Sequence, residues 1–382
     1  MPLPVLPIEL WLVIIRWATI SDTTRFLFAI AYYPFAAGFT DTVDTDSIAV
    51  KQAVSSVCKL WRDTSLSLSL EDAMIHHNID RLKYTLEKHS DLGYKSIHRV
   101  CLPYTSCLSY KSAVNAASTL LASLSRLEVL VRPPCSPAEN LNFDFPAEDC
   151  PMLPSLKRLD WWHYNDASKT GGVNSLTDVL RAAPNLEYLS LWGDNWMGLL
   201  HQPPISLPSL TTLRLRSTNA PLLLPLHKWK LPSFTRIIVD NYNGTLPGSL
   251  WSTFGNQLET VELGQSVKFG LVDMVQYVLD ACPNLKELNY YVQFAAIPCL
   301  PKGHRALATV RLHGAQNDFY AGDRNELWEH IEGHFAAFSS ARFPALKHII
   351  LHGDWTPLTN DYRFKDIEEQ VSAADQYLAF NE

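Results

Sequence analysis

The sequence predicts an α/β fold: a short helical N-terminal domain, then a curved solenoid of repeats with strands on the concave face and helices on the convex face. Three observations predict it. An apolar pattern recurs ten times after residue 95. Amphipathic stretches that end at a proline precede several of the copies. The first 95 residues share neither feature and open on a strongly apolar segment, Leu6–Ile20.

The recurring pattern is L-x-x-L-x-L. It reads "NLEYLSLW" from Asn185, "SLTTLRLR" from Ser209, "QLETVELG" from Gln257, "NLKELNYY" from Asn284, "ALATVRLH" from Ala306 and "ALKHIILH" from Ala345. "SLKRLDWW" from Ser155 and "SFTRIIVD" from Ser233 fit less tightly. "SIHRVCLP" from Ser96 and "RLEVLVRP" from Arg126 are degenerate copies, the second because Arg132 stands in its last apolar slot. The first apolar positions are 97, 127, 156, 186, 210, 234, 258, 285, 307 and 346. Most intervals lie near the ~20–29 residues of leucine-rich repeats. The last interval is longer and holds "RNELWEHIEGHFAAF", with Leu327, Ile331, Phe335 and Phe338 on one helical face.

"SLTDVLRAAPNLEYLSL" and "LVDMVQYVLDACPNLKELNYY" show the unit: a helix, a stop at Ala-Pro or Cys-Pro, then a strand. One such unit cannot bury its apolar face alone, so stacking is expected. Asn165, Asn195, Asn219 and Asn243 follow the first apolar position of four consecutive repeats by nine residues, which predicts a ladder of turn asparagines. The tail from Thr359 carries Phe364, Ile367, Val371 and Leu378 as a stripe, which predicts a capping helix over 357–382.

Composition limits the function. The chain has 382 residues, 47% apolar and 19% charged, as a globular protein has. A net charge of −7 argues against a nucleic-acid binder. Seven cysteines at scattered positions form no C-x-x-C pair, which favours reduced, inert thiols, no metal, and a cytoplasmic or nuclear setting. The N-terminal segment lacks a basic leader, and Glu9 and Arg16 interrupt it, so neither a signal peptide nor a membrane span is expected.

The N-terminal segment therefore needs another explanation. In helical register Leu10, Val13, Ile14 and Trp17 share one face, and Trp11, Leu12 and Ile15 cover most of the rest. Such a helix needs cover nearly all round, and ninety residues supply little of it. A second apolar set follows at Val54, Val57, Cys58 and Trp61. Apolar area left over points to a partner.

"LPIEL" at Leu6–Leu10, followed by an apolar helix and then "VSSVCKLWRDTSLS" at Val54–Ser67, resembles an F-box. An F-box followed by leucine-rich repeats is an architecture frequent among fungal proteins. The resemblance implies an F-box-like domain over 1–72, a helical linker over 73–95, repeats over 96–356 and the cap. It implies a substrate-recognition subunit of a Skp–cullin–F-box ubiquitin ligase, with Leu6, Pro7, Leu10, Ile14, Val57 and Trp61 toward a Skp-type adaptor. The stretch between the two halves, about 21–50, is longer than the family's and carries Phe26, Leu27, Phe28, Tyr32, Tyr33 and Phe35. The alternative is a non-catalytic repeat scaffold whose N-terminal helices only cap the stack.

Strand side chains alternate between faces. If the leucines point inward, Arg158, Trp162, Tyr188, Trp192, Arg214, Arg216 and Arg236 line the opposite face as a substrate-binding surface. Trp, Tyr and Arg dominate protein interfaces, and the arginines suit a phosphate or carboxylate on the substrate. The same alternation places Glu262, Tyr291, His313 and His352 on that face. The sequence has no G-x-S-x-G, P-loop, G-x-G-x-x-G or H-E-x-x-H. His76–His77 are adjacent on an expected helix and point apart. No catalytic residue, no cofactor and no enzyme activity are expected; the expected partners are the adaptor, the cullin ligase and an unknown protein substrate.

Overall fold

The computed structural model describes residues 7–19, 28–36, 45–59, 61–62, 68, 70–74, 79–88, 93–102, 104, 116–134, 149–193, 204–218, 226–242, 248–320, 322, 324–338 and 342–381. They form two compact units. One comprises Met1–Tyr32 and Ala36–Leu210; the other comprises Tyr33–Phe35 and Thr211–Glu382.

The first unit carries five strands: β1 (Asp72–Met74), β2 (Arg99–Cys101), β3 (Val129–Arg132), β4 (Arg158–Trp162) and β5 (Tyr188–Trp192). They pair in parallel in chain order. The second carries seven: β6 (Thr212–Thr218), β7 (Arg236–Tyr242), β8 (Thr260–Leu263), β9 (Glu287–Tyr291), β10 (Thr309–His313), β11 (His348–His352) and β12 (Tyr377–Asn381). They too pair in parallel and in order. One strand per repeat in parallel register is the arrangement of leucine-rich repeats.

The expected frame holds at every repeat. The ten first apolar residues, from Ile97 to Leu346, are all buried. Each strand from β2 to β11 begins two residues later. In eight repeats the first apolar amide donates to the carbonyl three residues back, as in Leu127 to Leu124, Leu186 to Ala183 and Leu285 to Cys282. This one tight turn aims eight of the ten strands; at Leu307 the amide donates to His304 Nδ1 instead. The second and third apolar slots, such as Leu159 and Trp161 or Leu288 and Tyr290, are also fully buried. Arg132 fills the third slot of its repeat, opposite Trp161, and it too is fully buried.

Polar residues just before the first leucine add a second ladder. Asn185 Nδ2 donates to Pro154 O at 2.8 Å, and Ser155 Oγ to Ser125 O at 2.6 Å. In the other unit Asn284 Nδ2 donates to Asn256 O at 2.7 Å, and Gln257 Nε2 to Leu231 O at 3.2 Å. Each ties its repeat to the turn of the previous one. Of the expected asparagine ladder, Asn195, Asn219 and Asn243 lie outside the described residues; Asn165 accepts from His163 at 3.0 Å. His76 and His77 also lie outside them.

Helices fill several connections. Helix Leu176–Ala182 is capped by Ser175 and stops before Ala183–Pro184; helix Met274–Ala281 is capped by Asp273 and stops before Cys282–Pro283. The long interval holds helix Arg324–Phe338, which buries Trp328, Ile331, Phe335 and Phe338. Two strands depart from the expectation. β1 lies at the start of the expected linker and pairs with β2. The tail is a helix, Phe364–Ala373, and then β12, which pairs with β11. Asp375 takes a left-handed φ of 57° and ends the helix. The strand follows because the edge of β11 offers unpaired backbone groups that a continued helix would leave bare.

Candidate functional site

Two surfaces carry the residues expected to bind partners: the N-terminal helix pair and the sheet face opposite the leucine core. Helix α1 (Ile8–Thr19) begins with the amides of Leu10 and Trp11 donating to Pro7 O. Helix α2 (Thr45–Val57) packs against it. Trp11 and Trp61 meet at 4.8 Å between ring centroids, Ile15 is buried, and Arg16 pairs with Glu71. One side of α1 is thus held by its own chain. The other side is bare: Leu10, Val13, Ile14 and Trp17 are 46–78% exposed, with Val57 exposed on α2. Pro7 is exposed and Trp61 half-buried. Leu6 lies outside the described residues.

The face opposite the core is internally paired. In the first unit Arg158 Nε donates to Asp160 at 2.9 Å, its guanidinium lies 4.8 Å from the Tyr188 ring centroid, and Nη1 donates to Ala29 O at 2.7 Å. Trp162 and Trp192 meet edge-to-face at 5.9 Å. Cys101, Val129 and Val131 pack with them. The expectation of an open aromatic surface is corrected here: Arg158, Tyr188 and Trp192 are buried, and only Trp162 stays half-buried. The reason is mutual cover, since adjacent parallel strands bring these large side chains into contact row by row.

In the second unit Arg214 forms a fork on Asp240, with bonds of 2.6 and 2.8 Å, and Arg216 adds a third at 3.1 Å. Arg236 is half-buried. A single carboxylate therefore meets two of this unit's three arginines expected to read an anion. Farther along, Arg311 Nε donates to Glu287 at 3.0 Å, and Asn289 Nδ2 donates to the same carboxylate at 2.8 Å.

Beyond these pairs the face carries an aromatic and imidazole row that the choice of Trp and Arg passed over. Tyr291, His313 and His352 stand side by side on β9, β10 and β11. Burial lowers the His313 pKa, and it lowers that of His352 to about 4, helped by the Arg311 and His313 charges. Burial pushes the Tyr291 hydroxyl up to about 12, with Glu262 and Asp240 adding to the shift. Phe35 lies against this row. The signal available in sequence was the aromatic run Tyr32-Tyr33-Pro34-Phe35 inside the long stretch between the F-box-like halves.

A second polar cluster lies under the core face of β9. Tyr290 OH bonds His334 Nδ1 at 3.0 Å, Tyr320 OH bonds His330 Nδ1 at 3.0 Å, and the two Nε2 atoms face Ala295 O and Val292 O. Burial holds His334 near a pKa of about 3, with His330 contributing. The pair is neutral at pH 7 and structural in its contacts. Among the described residues no group of three His, Cys, Asp or Glu is placed to hold a metal ion. Among them, too, no helix is long and apolar enough to cross a membrane.

No protein-family model matches the chain, and no curated protein matches it. Among solved structures it is similar to a crystal structure of TLR13 in complex with ssRNA13. The identity is 14% and the TM-score 0.36, and the match covers 76% of this chain and 41% of that one.

Proposed function

We propose that the chain is the substrate-recognition subunit of a Skp–cullin–F-box ubiquitin ligase. In this reading α1 docks on a Skp-type adaptor, the repeats hold a protein substrate, and the chain itself catalyses nothing. Its contribution is proximity, and its setting is the cytoplasm or nucleus. The observation that carries the reading is the bare apolar stripe Leu10–Val13–Ile14–Trp17, continued by Val57. Full burial of a large apolar side chain is worth roughly 1.5–3 kcal/mol, and Leu10, Val13, Ile14 and Trp17 still have about half or more of that to gain when covered. Cover by a partner would supply that stabilisation. The "LPIEL" and "VCKLWR" sequences name the kind of partner by resemblance.

The alternative is a repeat scaffold outside any ligase. Ile15, the Trp11–Trp61 contact and the Arg16–Glu71 pair favour it, because they show α1 anchored on its own chain. A pull-down with purified Skp-type adaptor separates the two. The wild type is expected to capture the adaptor, and Pro7→Ala/Leu10→Asp to lose it. A well-folded wild type that captures none removes the ligase reading and leaves the scaffold.

A further inference from the structure

Phe35 sits in a socket built by four neighbouring strands of the second unit. Its ring centroid lies 5.2 Å from Tyr291, 5.0 Å from His313 and 5.0 Å from His352, edge-on or tilted to each. Tyr291 and His313 stack on each other at 4.4 Å and form one flat wall. Glu262, on β8 and almost fully buried, accepts the Phe35 backbone N–H at 2.9 Å. The socket thus reads two things at once: a ring and the amide beside it.

Phe35 adopts a left-handed φ of 55° in the turn after Pro34. That conformation costs a bulky residue roughly 1–2 kcal/mol. The ring contacts and the charge-assisted bond outweigh it. Only Tyr33–Phe35 of the N-terminal region belong to this unit, so the contact rests on a three-residue visit. The walls, by contrast, are strand residues fixed by register. Both imidazoles are uncharged at neutral pH, and Glu287 meets the charge of the neighbouring Arg311. A neutral ring and an N–H donor fit such a site; an anion does not.

We propose that the Glu262–Tyr291–His313–His352 socket is a recognition site for an aromatic residue on a tight turn of a partner protein, held here by Phe35 as a tethered surrogate. This deepens the proposed function, since it names what the substrate face reads. A tethered segment acts at an effective concentration on the order of millimolar. An outside ligand therefore binds with its affinity reduced by the fraction of time the socket is open.

The test uses the full chain and a fluorescein-labelled, acetylated peptide of Tyr32–Ala36, YYPFA, followed by anisotropy. Phe35→Ala is expected to bind this peptide at least roughly tenfold tighter than the wild type. The same peptide with its phenylalanine changed to alanine is expected to lose binding, and so is the double variant Phe35→Ala/His313→Ala. Equal binding to wild type and variant overturns the proposal. So does no binding to the variant at about 1 mM peptide, or binding indifferent to the peptide's phenylalanine. Circular dichroism checks the fold, and Phe35→Leu, which keeps apolar cover without a ring, repeats the series if Phe35→Ala does not fold. Adaptor capture through Leu10 involves neither socket nor peptide, so the two readings fail separately.

Discussion

Arg132 gives the sharpest test of how the repeat stack tolerates an irregular copy. It occupies a leucine slot and is fully buried. Its Nη1 donates to Leu102 O at 3.0 Å and its Nη2 to Val173 O. Its guanidinium lies beside two touching rings, 5.2 Å from Tyr104 and 5.3 Å from Trp161. Arg132→Ala strips two charge-assisted hydrogen bonds, about 1.5 kcal/mol each, and two desolvated ring contacts, about 1 kcal/mol each. A cavity adds to the loss, and release of a buried charge offsets part of it. The expected net destabilisation is about 3 kcal/mol, comparable with breaking other buried charged contacts. Arg132→Leu restores the repeat pattern but leaves both carbonyls unmet, and is expected to cost about half as much. Urea unfolding followed by tryptophan emission measures both. If Arg132→Leu proves more stable than the wild type, the leucine pattern governs this slot and the polar contacts described here contribute nothing net.

Further outcomes follow from the same contacts. His163 and His334 have folded pKa values of about 4 and about 3, below the ordinary 6.5, because both are buried. The unfolded chain takes their protons first, so their contribution is complete above pH 6.5 and is lost as pH falls toward the folded values. Each is expected to remove about 2 kcal/mol between pH 6.5 and 5, and a urea midpoint unchanged over that range would contradict it. Gly303→Ala places a Cβ 2.2 Å from Arg342 O at a φ of +64°; a loss of about 2 kcal/mol or more is expected, and thermal unfolding reads it. Asp240→Ala leaves the Arg214 and Arg216 guanidinia without their shared carboxylate and is expected to cost about 3 kcal/mol, whereas a neutral result in urea would mean water replaces it. Thiol labelling with mass mapping is expected to modify exposed Cys58 and Cys299 quickly. Buried Cys101 and Cys282 are expected to stay unreacted until unfolding, since burial pushes the Cys282 thiol up to about 12.

The frame of the fold was legible because it is local. Each leucine position depends on its own repeat, and proline marks the helix stops at Ala183 and Cys282. β1 and β12 were not legible. A three-residue strand such as Asp72–Met74 carries too few alternations to show a period. At the tail, Leu378 continues the helical spacing of Val371, and only the backbone reversal at Asp375 separates helix from strand. The site was half legible. Alternation sorts side chains by face, but it cannot show that Asp160 and Asp240 would bind the arginines, because these pairings cross strands or depend on rotamer. Phe35 meets residues more than two hundred positions away, and no periodicity encodes such a contact.

The constant offset between leucine and strand has a wider consequence. Spacings along the chain range from 22 to 39 residues, yet every strand of the ten begins at the same step after its marker. The turn acts as a reset: length gained or lost in one connection is forgotten before the next strand starts. Evolution can therefore insert a whole helix, as at Arg324–Phe338, without disturbing the row formed by Tyr291, His313 and His352 on either side of it. Scaffold variation and recognition become separable inheritances, and a grafted connection should leave the reading surface unchanged.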